Sequence, residues 1–252
     1  MKTIMIIGAG FLQTPVIKKA KELGYRTISV DRDENAEGFI HSDFYKAIDI
    51  VDQEACLEYA KRMKIDGVLT AATDFGVMTA SYIAKELNLP GLNYETAQHV
   101  KNKYEVRHIL SENRIDDVSQ YYEIDNIDQL DGIKDSIRFP VMVKPCDGSG
   151  SKGASRVDDI GDLKSASSKA IEASLIGKAL IEDFIEGSEY GVESFFLNGE
   201  IYVLGIMKKI MTEPPIYAEL GHAMPSGLTN ELKKRITEIT KLAIKALGIN
   251  HG

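Results

Sequence analysis

The sequence predicts an α/β protein, with a parallel sheet covered by helices in residues 1–97 and an α+β half in residues 98–252. Three observations carry this reading. Short apolar strands alternate with helices from Thr3 to Leu87, the signature of βαβ units. From Ala179 to Lys209 the strands follow one another directly, which suits an antiparallel sheet. Between them lies Phe139–Val157, FPVMVKPCDGSGSKGASRV, where an apolar run ends in Lys144 and meets a glycine-rich loop.

The elements follow in order. Thr3–Ile7 is a fully buried type of strand, TIMII. Pro15–Leu23 is a helix stopped by Gly24. Arg26–Val30 is a second strand ending at Asp31, Gln53–Met63 a helix, Gly67–Thr70 a strand, and Phe75–Leu87 a helix before LNLPGL. In such sheets ligands bind at the carboxyl ends of the strands. Gly8–Gln13, Asp31 and Thr73–Asp74 are therefore expected on one rim.

Lys101–Asn113 reads as one helix. Ser119–Glu123 and Val141–Lys144 read as strands with helical Ile127–Leu130 between them. Ala154–Val157 is a short strand and Asp158–Ser174 an amphipathic helix. Ala179–Phe184, Tyr190–Leu197 and Ile201–Lys209 are strands, the last two joined by Asn198–Gly199, a two-residue hairpin signature. Thr229–Leu247 carries Ile236, Ile239, Leu242, Ala243, Ala246 and Leu247 at helical spacing and stops at Gly248. The chain holds no internal repeat and no low-complexity segment.

Composition narrows the class. Of 252 residues, 44% are hydrophobic and 27% charged, an ordinary globular balance. The net charge of −8 argues against a nucleic-acid partner, which wants a basic face. Cys56 and Cys146 have no metal or redox spacing and read as reduced thiols. The MKTIMIIGAG start is too short for a signal peptide, and no apolar run reaches the roughly 18 residues of a membrane span. A cytoplasmic protein without a membrane partner is expected.

Two motifs carry chemistry. Gly8-Ala-Gly10 with Asp31 has part of a dinucleotide fingerprint, but Gln13 stands where the third glycine belongs. Its alternatives are a tight turn at the rim or a small-substrate loop using the Gln13 amide as donor and acceptor. The second motif is stronger. Glycines at 148, 150 and 153 allow backbone N–H groups to approach an anion. Ser149 and Ser151 add hydroxyl donors, and Lys144 and Lys152 add charge. The pattern is no P-loop, since GxxxxGK[ST] is absent. Downstream, IEDFIEGSEY at 181–190 offers backbone, apolar and acidic groups suited to a base and a ribose.

At this point the chain resembles the ATP-grasp superfamily. The resemblance runs in order through IIGAGFLQTPVIKKAKELGY, TAATDFGVMTASYIAKELNLPGL, NKYEVRHIL, VKPCDGSGSKGASRV and IEDFIEGSEYGVESFF. The chain is similar to ligases of the phosphoribosylamine–glycine ligase type and to the carbamoyl phosphate synthetase large subunit. The resemblance implies an N-terminal pre-ATP-grasp domain at 1–97 and an ATP-grasp domain at 98–252, with a lid subdomain at about 118–187. It implies an ATP-dependent carboxylate–amine ligase working through an acylphosphate.

By the same resemblance, Lys103 and Lys144 contact ATP phosphates under a lid made of Gly148, Ser149, Gly150, Ser151, Lys152 and Gly153. Glu182, Asp183, Phe184 and Ile185 hold adenine, and Glu189 binds ribose. Lys144, Lys152 and His222, the last within AELGHAMPSGL, are the implied catalytic groups. Gln13, Asp31 and Asp74 are expected to face the substrate. One of Lys208 and Lys209 points inward by strand alternation.

The family's magnesium carboxylates lie on strands beyond the last helix, so the resemblance expects Mg²⁺ ligands past residue 252 and none within the chain. The 252-residue chain is then expected to bind nucleotide without turnover. Small carboxylate and amine substrates and a homodimer are the implied partners. Two other readings stand beside this one: an NAD-binding oxidoreductase or sensor, and a non-catalytic nucleotide-binding subunit.

Overall fold

The computed structural model describes residues 1–148, 150–213 and 216–252. The chain divides into two compact units, residues 1–98 with 249–252, and residues 99–248.

The first unit begins with β1 (Thr3–Ile7), α1 (Thr14–Glu22) and β2 (Arg26–Asp31). It continues with β3 (Phe44–Ala47), α2 (Gln53–Met63), β4 (Gly67–Thr70) and α3 (Asp74–Glu86). Its sheet has the order β3-β2-β1-β4 and is parallel throughout. β1 lies inside, which explains its unbroken apolar sequence: both of its faces are covered. Met5 and Ile7 pack with Leu57, Ala60 and Ile83 from α2 and α3. Ile6, facing the other way, packs with Ile17 of α1 and Phe39. Asp52 caps α2, its carboxylate accepting from the Ala55 N–H at 3.0 Å. The 249–252 tail is tied in where the Asn93 N–H donates to Asn250 Oδ1 at 3.0 Å.

α4 (Tyr94–Lys101) and α5 (Lys103–Glu112) correct the expectation of one helix over Lys101–Asn113. Asn102 breaks the run: it adopts an extended conformation and its side chain accepts from the Tyr104 N–H, capping α5. Lys103 thereby becomes the first residue of a helix.

The second unit continues with β5 (Tyr121–Ile124), α6 (Leu130–Ile133), β6 (Val141–Pro145), β7 (Ser155–Val157), α7 (Ile160–Ala173) and β8 (Ala179–Asp183). These strands form an antiparallel sheet ordered β5-β8-β6-β7. Val141, Val143 and Ile181 bury one face against Leu163, Ala166 and Ala170 of α7. Met142 is in register with both Arg156 and Glu182. Alternation therefore puts Met142, Lys144, Arg156 and Glu182 on the opposite face.

A second antiparallel sheet joins β9 (Tyr190–Leu197), β10 (Glu200–Met211) and β11 (Glu219–Ala223) in the order β11-β10-β9. Asn198 and Gly199 both have positive φ, 52° and 84°, as the tight β9–β10 turn requires. β10 outruns the expected Ile201–Lys209 because β11, which the sequence did not announce, pairs with its far end. α8 (Asn230–Ala246) follows, capped by Thr229. No helix among the described residues is long and apolar enough to cross a membrane.

Gly38 packs with no room for a side chain: a Cβ there would meet Ala9 O at 2.7 Å and Ile17 Cδ1 at 2.6 Å. The Gly38 N–H also donates to Ala9 O at 2.6 Å, so that carbonyl cannot retreat. Gly38→Ala is expected to destabilise the chain by about 1–3 kcal/mol in urea denaturation. Gly132→Ala, whose Cβ would meet nothing within 4 Å, serves as the near-neutral control.

Candidate functional site

The face of the second unit's first sheet that α7 leaves uncovered holds a chain of charges. Glu182 on β8 is only 4% exposed. Its carboxylate pairs with Lys144 of β6 through Oε1 and with Arg107 of α5 through Oε2, the latter at 2.7 Å. Arg107 reaches on to Asp116 at 2.7 Å. Burial pulls the Arg107 guanidinium down, but Glu182 and Asp116 outweigh it and hold its pKa above the ordinary value. A carboxylate this buried needs such partners, because an unpaired charge there would be costly.

The glycine-rich loop begins at the end of β6. Lys103 holds it at two points: its N–H donates to Cys146 O at 2.7 Å, and its Nζ donates to Gly148 O. Gly150, Ser151 and Gly153 have φ of 64°, 58° and 75°. Gly153 lies so close to α7 that a Cβ would meet Ala173 Cβ at 2.6 Å. Ser151 Oγ donates to Tyr217 O at 2.8 Å, tying the loop to the β10–β11 connection. Lys152 is exposed, and Ser149 lies outside the described residues.

Just past the end of β8, the Arg156 guanidinium sits 4.4 Å over the Phe184 ring, and Phe184 meets Tyr217 edge-on at 5.9 Å. Asp183 has a structural task here: its carboxylate accepts from Ser119 N–H and Oγ, both at 2.7 Å, and from the Gln120 N–H. Burial raises the Asp183 pKa, yet these donors prevail and hold it below the ordinary carboxylate value. Ile185 is 67% exposed.

On the second sheet Lys209 is the inward lysine. Its ammonium bridges Glu189 and Glu219, each at 3.1 Å, while Lys208 is exposed. Burial pulls the Lys209 ammonium down, and Glu219 and Glu189 together leave it raised. His222 Nε2 lies 3.5 Å from Glu219 Oε1. Burial pushes the thiols of Cys56 and Cys146 up to about 12, so neither is a nucleophile near neutrality.

In the first unit the rim forms as expected, but two of its polar residues build it. Asp31 Oδ2 accepts from the Ala9 N–H at 2.8 Å and Oδ1 from the Asp33 N–H at 3.0 Å. Gln13 is 7% exposed and its Nε2 donates to Ala71 O at 2.7 Å. Asp74 stands exposed in the first turn of α3.

The sequence reading missed Arg107 and Arg156. Arg107 is four residues after Lys103, hence on the same helix face, and that spacing was its signal. Arg156 needed the β6–β7 register. Which of Lys208 and Lys209 faces inward was not legible, because the register shift between Val203 and Gly205 breaks the alternation along β10.

These features fit one family. Residues 137–252 match the family model described as an ATP-grasp domain. Over that stretch the chain has the sequence of an ATP-grasp domain. The formate-dependent phosphoribosylglycinamide formyltransferase of Prochlorococcus marinus (strain AS9601) is 28% identical over 191 residues, covering 73% of this chain and 48% of that protein. The chain spans about half the length of the curated relatives it matches. Two solved structures share the fold. The L-amino acid ligase of Bacillus licheniformis aligns with a TM-score of 0.81 and 24% identity over 100% of this chain and 61% of its own. The ADP complex of N5-carboxyaminoimidazole synthetase from Staphylococcus aureus aligns with a TM-score of 0.79 and 17% identity, covering 97% and 63%.

Two outcomes are expected from the second unit's ion network. Arg107→Met leaves the buried Glu182 with Lys144 alone and removes the arginine partner of Asp116, and costs about 3–5 kcal/mol in chemical denaturation, part of which Glu182→Gln in the same chain restores. Asp183, with a depressed folded pKa, adds stability that is complete above its unfolded pKa of about 3.9 and is lost as pH falls through the folded value. Asp183→Asn should therefore flatten the fall in thermal midpoint below about pH 4, relative to the unchanged chain.

Proposed function

We propose that this protein binds ATP on the second unit and acts as an ATP-dependent ligase joining a carboxylate to an amine. The observation that carries the reading is the pair of ammonium groups, Lys103 and Lys144, both already bonded to oxygen acceptors beside a glycine-rich loop. Such groups exchange a carbonyl or carboxylate for a phosphate oxygen without changing their geometry of donation. The solved Staphylococcus aureus relative in complex with ADP supports the nucleotide.

The charge chain gives this exchange a physical basis. Lys144 can leave Glu182 for a phosphate because Arg107 remains on the other carboxylate oxygen. The buried carboxylate is then never stranded. Glu182, Phe184 and Ile185 would face the base, and Glu189 the ribose, with Lys209 as its partner in the free protein. Lys152, Ser151 and the loop N–H groups would close over the phosphates and exclude water.

Phosphoryl transfer asks mainly for positioning and charge neutralisation, which lysines and backbone donors supply without a side-chain nucleophile. ATP provides the phosphoryl group that activates the carboxylate as an acylphosphate for attack by the amine. His222, beside Glu219, is the group proposed to hold a proton near that attack. Among the described residues no group of three or more His, Cys, Asp or Glu side chains could hold a metal ion, so no step here is assigned to magnesium.

The test is calorimetric titration of ATP into the chain, its Lys144→Ala variant and an NAD control. Binding of ATP weakened about tenfold or more by Lys144→Ala supports the site. NAD binding in place of ATP overturns it. ADP release that needs both a carboxylate and an amine supports the ligase class, while AMP release refutes it.

A further inference from the structure

A cavity of about 630 Å³ runs along the outer edge of the second unit's first sheet. β7 is the last strand on that side: it pairs with β6 and with no strand beyond. One wall of the cavity is residues 151–157, which are β7 and the chain that leads into it. The other wall is α7, through Asp162, Ser165, Ala166 and Lys169. These four stand at i, i+3, i+4 and i+7, a single stripe of the helix. Ile216, 64% exposed, lines the same space.

The charges are ordered along this groove. Lys169 lies where the loop enters β7: a Cβ on Gly153 would sit 3.4 Å from the Lys169 carbonyl, and Lys152 precedes that glycine. Asp162 lies seven residues earlier on α7, about 10 Å away along the helix axis. It stands close to the turn that joins β7 to α7. Among the described residues Lys152, Lys169 and Asp162 make no ion pair. Arg156, also in the lining, is engaged by Asp158 and by the Phe184 ring. The groove is thus basic at one end and acidic at the other, with an open strand edge between. Such an edge presents backbone N–H and C=O groups suited to a further strand.

We infer that this groove binds a short peptide with free termini, three or four residues long, as an added strand on β7. Three extended residues span about 10 Å, the separation of the two charged ends. The cavity volume is that of a small-ligand site. The peptide carboxylate meets Lys152 and Lys169, and its ammonium meets Asp162. With that polarity the peptide runs opposite to β7, which leads from the lysine end to the aspartate end. The direction set by the charges is therefore the antiparallel one that the whole of this sheet uses. Ile216 offers one peptide side chain an apolar contact. The inference uses neither nucleotide nor ligase chemistry and stands apart from the reading above.

The test is calorimetric titration of alanyl-valyl-alanine into the whole chain, with its N-acetyl and C-amide forms as controls. Saturable binding of the free peptide is expected, weakened about tenfold by either cap, since each cap removes one charge-assisted contact. Lys169→Ala and Asp162→Asn should each weaken the free peptide about tenfold. Lys169→Ala should also shrink the discrimination against the amide, and Asp162→Asn the discrimination against the acetyl form, which a merely structural effect would not do. Both side chains are exposed, so the variants should keep the thermal midpoint of the unchanged chain.

Absence of saturable binding up to about 10 mM overturns the inference. Equal affinity for free and capped peptides, or binding that both substitutions leave unchanged, overturns it too. Lys144→Ala locates the peptide: binding that this variant abolishes belongs to the Lys144–Glu182 face and not to the groove, and binding that it leaves intact supports the β7 edge.

Discussion

Glu182 is a carboxylate with 4% of its surface exposed, and the face of the second unit's first sheet that α7 leaves uncovered is organised around keeping it paired. It lies between a strand lysine and a helix arginine, so β6, β8 and α5 are joined through one side chain. Remove either cation and the other still neutralises it, although at lower stability. Apolar packing cannot supply this arrangement. The α7 face of the same sheet is held by Val141, Val143 and Ile181, which are non-directional and fix only how closely the layers approach. The ionic face fixes which groups point where.

The two units divide the physical work differently. In the first, a parallel sheet buried on both faces leaves only its loops for chemistry, and those loops spend Gln13 and Asp31 on holding one another. In the second, antiparallel sheets free one face each, and those faces carry Lys144, Glu182, Lys209 and His222. The difference follows from sheet type: parallel strands need helical crossovers on both sides, whereas hairpins do not.

Much of the fold was legible where one rule sufficed. Gln53–Met63, Gly67–Thr70 and Tyr190–Leu197 have the bounds that their periodicity predicts. β3 was invisible because FYKA is exposed throughout and shows no alternation. β11 forms by pairing across a bulge in β10, a long-range event that local pattern does not encode. The α4–α5 break was legible in principle, since Asn102 is a good cap, but the apolar spacing ran through it. For the candidate site, the lysines and glycines were visible as chemistry. Their partners were not, because Arg107–Glu182 and Lys209–Glu189 join residues far apart in the chain. Gln13 and Asp31 illustrate the reverse: polar residues at a rim were legible as such, while their use in holding the rim depended on the fold.

Lys103 bonds the 146–148 segment through both its ends, backbone N–H to Cys146 and side-chain ammonium to Gly148. One residue thus measures a length of chain. An insertion between positions 146 and 148 would push one anchor beyond the reach of a single lysine, whereas an added residue near Gly150, where a Cβ would meet nothing within 4 Å, would not. Relatives of this chain should vary in loop length only on the far side of Gly148. That asymmetry would mark which part of the loop is a fixed arm and which is free to change with the ligand.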